Sequence, residues 1–379
     1  MTYRRAAIPA LIGGLILAAL LWWAGASTHA LHLPGTGGTL GSGTAAELER
    51  WLAPWAYDPP TAFRLGAETS GGVGDTATSD GARYRALYGT GLQIRFGALF
   101  VLFALGALLL VRRLPPVRGR ATAAFLAVWA WGVVAGALAV TVSAPWLIAA
   151  AGHGSHRFLP QLAGAASSGR QIVMITSLLA AAATVFTARI AVKDPEPPAR
   201  AAVPARAARL AATAGTAVVA LSLVVLSYDR VAALLQTAFV GSGLLSEPGD
   251  LLRQWLLLGG WTGPAGASAG EWLLYRAVDA LALVVVWCAL RWLPGLLTRA
   301  TVPATAAVTV CAIVLGLLVS QLVEIATSPA SPYGSFVYKA ASLGHGVPAA
   351  LTWGLLAGTT AAVVLRVTAR NGERGPARP

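Results

Sequence analysis

Eight stretches of mostly apolar residues decide what this chain can fold into. They run over 6–27, 96–111, 121–143, 171–192, 210–228, 272–290, 300–323 and 347–367. At 1.5 Å per residue, about 20 residues cover the roughly 30 Å of a bilayer's hydrocarbon core. None of the stretches shows the in–out alternation of a barrel strand, so helices are the spans that satisfy every backbone group in lipid. Composition agrees: 56% of the residues are hydrophobic and 11% charged, against about a quarter charged in soluble domains. A water-soluble enzyme is excluded. The expected fold is an all-α integral membrane protein, a polytopic bundle of about eight transmembrane helices.

Cations set the expected orientation. Arg4 and Arg5; Arg112, Arg113, Arg118 and Arg120; Arg189, Lys193, Arg200, Arg206 and Arg209; Arg291 and Arg299; and Arg366, Arg370, Arg374 and Arg378 all fall on the side where the chain begins. Those are 17 of the 28 Lys and Arg residues, joined there by only three carboxylates, Asp194, Glu196 and Glu373. The positive-inside rule therefore predicts that both termini are cytoplasmic, in a plasma membrane. Asymmetry of this kind makes the +13 net charge a topogenic signal with anionic-lipid contacts. Nucleic acid is not an expected partner. Tryptophans fit the same map, with Trp22, Trp23, Trp146, Trp272 and Trp292 at predicted helix ends and Trp129, Trp131, Trp287 and Trp353 deeper. The first apolar run follows Arg4-Arg5 and ends in Ala24-Gly25-Ala26 like a signal peptide. Its length exceeds the roughly 7–15 residues of a signal core, so a retained anchor is expected. Cys288 and Cys311 lie within apolar spans, form no C-x-x-C and read as buried apolar side chains.

A Pro-, Ala- and charge-rich linker, 194–209, divides a first four-helix half, 1–193, from a second, 210–367, which is followed by a basic tail, 368–379. Three landmarks recur in order. Leu48-Glu49-Arg50-Trp51-Leu52 answers Leu252-Arg253-Gln254-Trp255-Leu256; Arg112-Arg113-Leu114-Pro115 answers Arg291-Trp292-Leu293-Pro294; Gly152-His153-Gly154 answers Gly344-His345-Gly346. They suggest an internal duplication. Four spans per half make such repeats parallel, as in transporters with a path between halves. Duplication could equally have made only a larger bundle.

Two outer loops are long, 28–95 and 229–271, and each suggests a short surface helix. In the first, Thr44 and Glu47 have capping-box spacing ahead of Leu48, Trp51, Leu52 and Trp55. In the second, Asp250 is placed to cap Leu251, Leu252, Trp255 and Leu256. The glycine runs that follow lack a Walker A pattern and read as loops.

Ionisable groups within spans are costly and point to function. Arg276 and Asp279 stand one turn apart in the sixth span, Asp279 about 18 Å from the inner boundary; Gln321 and Glu324 stand one turn apart near the outer end of the seventh. Together they could line an outward vestibule and a substrate or ion pathway, or Arg276 and Asp279 could form a structural ion pair. The second span offers no polar group at that depth. All five histidines, His29, His32, His153, His156 and His345, fall on the outer side. Neutral imidazoles from converging loops could hold Zn²⁺ or Cu²⁺; no other cofactor is implied, and haem ligation fits less well. The Gly132-x-x-x-Gly136 and Gly354-x-x-x-Gly358 motifs read as packing seams within the chain, with oligomerisation as the second reading.

H-E-x-x-H, G-x-S-x-G and S-x-x-K are all missing, and the inner loops are too short for a nucleotide-binding domain, so the residues lean away from an enzyme. The first expectation is a permease-like transporter or a transporter's membrane subunit. The second is an accessory or scaffold protein of the cell envelope, and the third an outer-face metal-binding protein or enzyme. Expected partners are membrane lipids and envelope or transporter proteins.

Overall fold

The structure is a computed structural model that describes residues 3–31, 33, 38–39, 41–57, 77–116, 119–150, 158–191, 204–226, 228–237, 247–259, 269–297, 301–327 and 339–373. Helices dominate, and no strand occurs among the described residues. We number them α1 (Tyr3–Ala26), α2 (Ser42–Leu52), α3 (Ala77–Arg113), α4 (Ala121–Ala150), α5 (Phe158–Ser167), α6 (Arg170–Ala191), α7 (Ala205–Ala220), α8 (Asp229–Thr237), α9 (Gly249–Leu256), α10 (Ala269–Leu296), α11 (Val302–Thr327) and α12 (Val347–Glu373). Eight of these, α1, α3, α4, α6, α7, α10, α11 and α12, are long and apolar enough to cross a membrane. The protein is an all-α, multi-pass, membrane-embedded bundle.

Proline marks several boundaries. Pro303 and Pro348 are second residues of α11 and α12, where the missing N–H has no helical acceptor anyway. Pro115 follows directly after α3 and Leu114, and a residue before proline is pushed out of the helical region. At the C-terminal end of α7 the helix widens into a π turn over Leu221–Leu226.

The spans form two rings. In the first, α1 packs on α3, α3 on α4, α4 on α6 and α6 back on α1; in the second, α7, α10, α11 and α12 repeat that order. The rings meet mainly through α4 and α11, the two most enclosed spans. Between apolar helices in lipid the driving force is close packing rather than water release, so small residues hold the seams. Gly132 and Gly136 of α4 lie against Ser177 and Val173 of α6. Gly354 and Gly358 of α12 lie against Val310 and Ala306 of α11; a Cβ at Gly358 would come within 2.5 Å of the Ala306 Cα. Both motifs are intramolecular seams. Where the rings meet, the Cys311 thiol donates to the Ala127 carbonyl at 3.2 Å. Both cysteines are free.

Several sequence expectations need adjustment. The second span is not short: α3 has 37 residues and begins inside the stretch read as outer loop. It carries Arg95, only 2% exposed, but about 25 Å from Arg112 and so beyond the depth of Asp279, where this span is apolar as expected. Short helices do form in both long loops, but neither cap is as expected. The N-cap of α2 is Gly41, and Glu47 instead bonds Arg50 and the Trp51 indole. The N-cap of α9 is Pro248, with Asp250 inside the first turn. Helices α5 and α8 had no counterpart in the sequence reading; both are short and depend on packing against neighbours. Trp129, Trp131 and Trp353 donate to the carbonyls of Met174, Leu102 and Leu256 on neighbouring segments, consistent with their deep positions. Trp22, Trp23, Trp146 and Trp292 are exposed, as rings at a lipid–water boundary would be.

Candidate functional site

A cavity of about 700 Å³ opens at the end of the bundle opposite the arginine-rich turns. That volume lies within the usual range of small-molecule sites. The first half contributes α5 and Arg170 at the start of α6; the second contributes α9, α10, α11 and the 341–346 turn. From Arg276 and Glu324 at the rim, the walls reach Ala282 and Leu317, about 10 Å further along their helices. The ring contacts explain its place. Helix α12 packs against α4, whereas α6 makes no comparable contact with α11, and the cavity occupies that gap.

Helix α10 supplies one charged wall. Arg276 Nη1 lies 3.1 Å from Asp279 Oδ2, and the two side chains are 19% and 31% exposed. One turn of helix sets this pairing. Glu324, from α11, faces the same space and interacts electrostatically with Asp279. Gln321 has a different task. Its Nε2 donates to the His345 carbonyl at 3.0 Å, and its Oε1 accepts from the Gly344 N–H at 2.8 Å. Both ends of the amide thus hold the turn before α12. Gln171 donates to Ala341 O at 2.8 Å from the other side. Residues from both rings therefore fix this turn, and Gly344 and Gly346 adopt positive φ within it. At Gly346 a Cβ would also lie 2.6 Å from the Leu258 carbonyl, so glycine is required twice over.

His345 projects from the turn into the cavity. Its Nδ1 is 3.3 Å from Arg170 Nη2. Enclosure by the walls, followed by the positive charges of Arg170 and Arg253, lowers its pKa to about 4. The imidazole is consequently neutral at neutral pH, and its contact with Arg170 makes Nδ1 the acceptor. Arg253 reaches the cavity from α9, whose end is clamped: Ser222 and Trp353 both donate to the Leu256 carbonyl, at 2.6 and 2.8 Å. Asp250, one turn before Arg253, accepts from Gln236 at 3.3 Å.

Arg276, Asp279, Gln321 and Glu324, singled out from the sequence, thus share one cavity with His345. His29 is exposed near the end of α1, while His32, His153 and His156 lie outside the described residues. Among the described residues no group of three or more His, Cys, Asp or Glu side chains could hold a metal ion. Sequence reasoning missed Arg170 and the cavity role of Arg253. Their common signal is an arginine retained on the end where cations are scarce, which also applies to Arg95 and Arg276.

Compared with protein-family models, curated proteins and solved structures, the chain matches none.

Proposed function

We propose that the protein is a permease-like transporter, or the membrane subunit of one, in a plasma membrane, with both termini cytoplasmic and two parallel halves that arose by duplication. The repeated ring order of the two halves supports the duplication. The cation asymmetry supports the orientation, which puts the cavity on the outer face. One observation carries the reading: a roomy, charge-lined cavity lies where the halves part, with the Arg276–Asp279 pair in its wall. Transporters with such repeats bind their cargo at the repeat interface and expose it to each side by rocking one half against the other. An ion pair beside the path provides an element that can rearrange as charge enters.

A substrate-independent test uses Ser320, which lines the cavity. Ser320→Cys, in a background with Cys288→Ala and Cys311→Ala, should react with a membrane-impermeant thiol reagent from the outer side. In inside-out vesicles a fraction should also react from the cytoplasmic side. Labelling from the outer side alone under every condition would identify a static vestibule and remove the transport reading.

A further inference from the structure

The cavity's charges are not evenly satisfied. Asp279 is paired with Arg276, and Asp250 with Gln236. By contrast, neither Arg170 nor Arg253 has an ion-pair partner among the described residues. Among the described residues the Arg170 side chain makes two hydrogen bonds, to Gly344 O at 3.4 Å and to His345 Nδ1 at 3.3 Å, both long for charged hydrogen bonds. Its Nε is buried and has no hydrogen-bond partner among the described residues. A guanidinium has five N–H donors and stays charged in proteins, so desolvating one without an anion is costly. Arg170 meets His345 through its Nη2, Arg253 adds positive potential at the same ring, and all three side chains line one cavity together with the carboxylates of Asp250, Asp279 and Glu324.

We propose that Arg170 and Arg253 receive an oxyanion, a phosphate or carboxylate group, of the ligand that enters this cavity. The guanidinium fork matches both groups in geometry. His345, neutral there, can offer its remaining Nε2–H as a third donor. Arg170 belongs to the first half and Arg253 to the second, so a bound oxyanion bridges the halves. This assignment rests on the transport reading for the cavity's purpose but not for its chemistry. A free solute and a lipid headgroup are the two sources of such a group, and they separate experimentally.

The test uses purified full-length protein at fixed ionic strength, since screening alone changes apparent affinity for anions. Inorganic phosphate and sodium acetate are titrated in detergent, with chloride as the control anion. In parallel, the protein is placed in nanodiscs of phosphatidylcholine with or without phosphatidylglycerol, and retained phosphatidylglycerol is measured by native mass spectrometry. Saturable binding of phosphate or acetate that chloride does not reproduce identifies a free oxyanion. Stoichiometric retention of phosphatidylglycerol alone identifies a headgroup. In either arm Arg253→Gln should weaken binding about ten- to a hundredfold, and Arg170→Lys should weaken it less than Arg170→Gln. Arg209→Gln, at the opposite end, should leave it unchanged. Arg170 also braces the turn and could lower the yield when replaced; exposed Arg253 has no such bond and keeps the test valid. Absence of saturable binding in both arms, or equal binding by Arg253→Gln and wild type, overturns the proposal. Oxyanion binding with one-sided Ser320→Cys labelling would keep this site and remove transport. Two-sided labelling without oxyanion binding would do the reverse.

Discussion

The two halves share a helix order but treat the same corner differently. In the first, the chain leaves α2 through a turn of 3₁₀ helix, Ala53–Trp55, and drives the Trp55 ring fully into the bundle. Arg95 closes over it: the guanidinium lies 5.6 Å from the ring centroid, its Nε donates to Ser143 Oγ at 2.8 Å, and its Nη1 donates to the Pro54 carbonyl. In the second, α9 packs on the last span of its ring as α2 does in the first, but the register that pairs Trp51 with Trp255 puts Gly259 at the position of Trp55. Gly259 lines the open cavity. The glycines just before the last span of each half underline the parallel; here Gly346 answers Gly169, whereas the sequence landmark paired it with Gly154, which lies outside the described residues. Gly169, with φ +66°, faces Pro54 and Trp55; Gly346, with φ +78°, faces Leu258. One half spends this corner on packing, and the other leaves it open and charged. Two rings with the same packing order thus differ at this corner, plugged in one and accessible in the other.

Trp55→Ala should show the largest effect. Emptying so large a buried volume costs about 3–5 kcal/mol, and a marked fall in thermal midpoint and membrane abundance should follow. An unchanged midpoint would mean that the ring is not a structural plug. Arg95→Ala should come next, at about 1–3 kcal/mol, because it uncovers the ring and leaves the Pro54 carbonyl and Ser143 without their donor. If it instead abolished oxyanion binding at unchanged stability, the first half would have a functional site of its own. Gly259→Trp reverses the comparison. Among the described residues a Cβ there meets Leu223 Cδ1 alone, at 3.2 Å, so the ring can turn into the cavity at about 1–3 kcal/mol while blocking ligand binding and reagent access to Ser320→Cys. Asp279→Asn should impair transport without lowering abundance; collapse of abundance would make the Arg276–Asp279 pair structural.

The smallest effect concerns His345. Its folded pKa is about 4 against an ordinary 6.5. A histidine whose pKa is depressed by folding favours the native state while neutral, above pH 6.5. That contribution is lost as pH falls through 6.5 toward 4, because the unfolded chain binds the proton first. His345→Asn should flatten the pH dependence of the thermal midpoint between 6.5 and 4. The slope should remain if the ring is already solvated as in the unfolded chain.

Length and polarity alone made the spans legible, since a run of apolar residues has no stable place in water and a helix is its only self-satisfied form in lipid. Arg276, Asp279 and Glu324 were legible for the complementary reason, that a charge within such a run needs a partner or water. The second span shows the limit of that logic. Arg95 stands just before its apolar run, and the sequence cannot show that Ser143, Pro54 and Trp55, from two other segments, will satisfy it. Nor does Gln321 reveal in sequence that both ends of its amide hold a backbone turn.

The sequence by itself determined that the chain is helical, embedded in a membrane and asymmetric in charge, because hydrophobic transfer and positive-inside bias act on local composition. Only the tertiary structure decided that one corner is filled and its counterpart open, and that Arg170 from one half meets His345 from the other. Those outcomes depend on how side chains distant in sequence share volume and hydrogen-bonding partners, which the linear order does not encode locally.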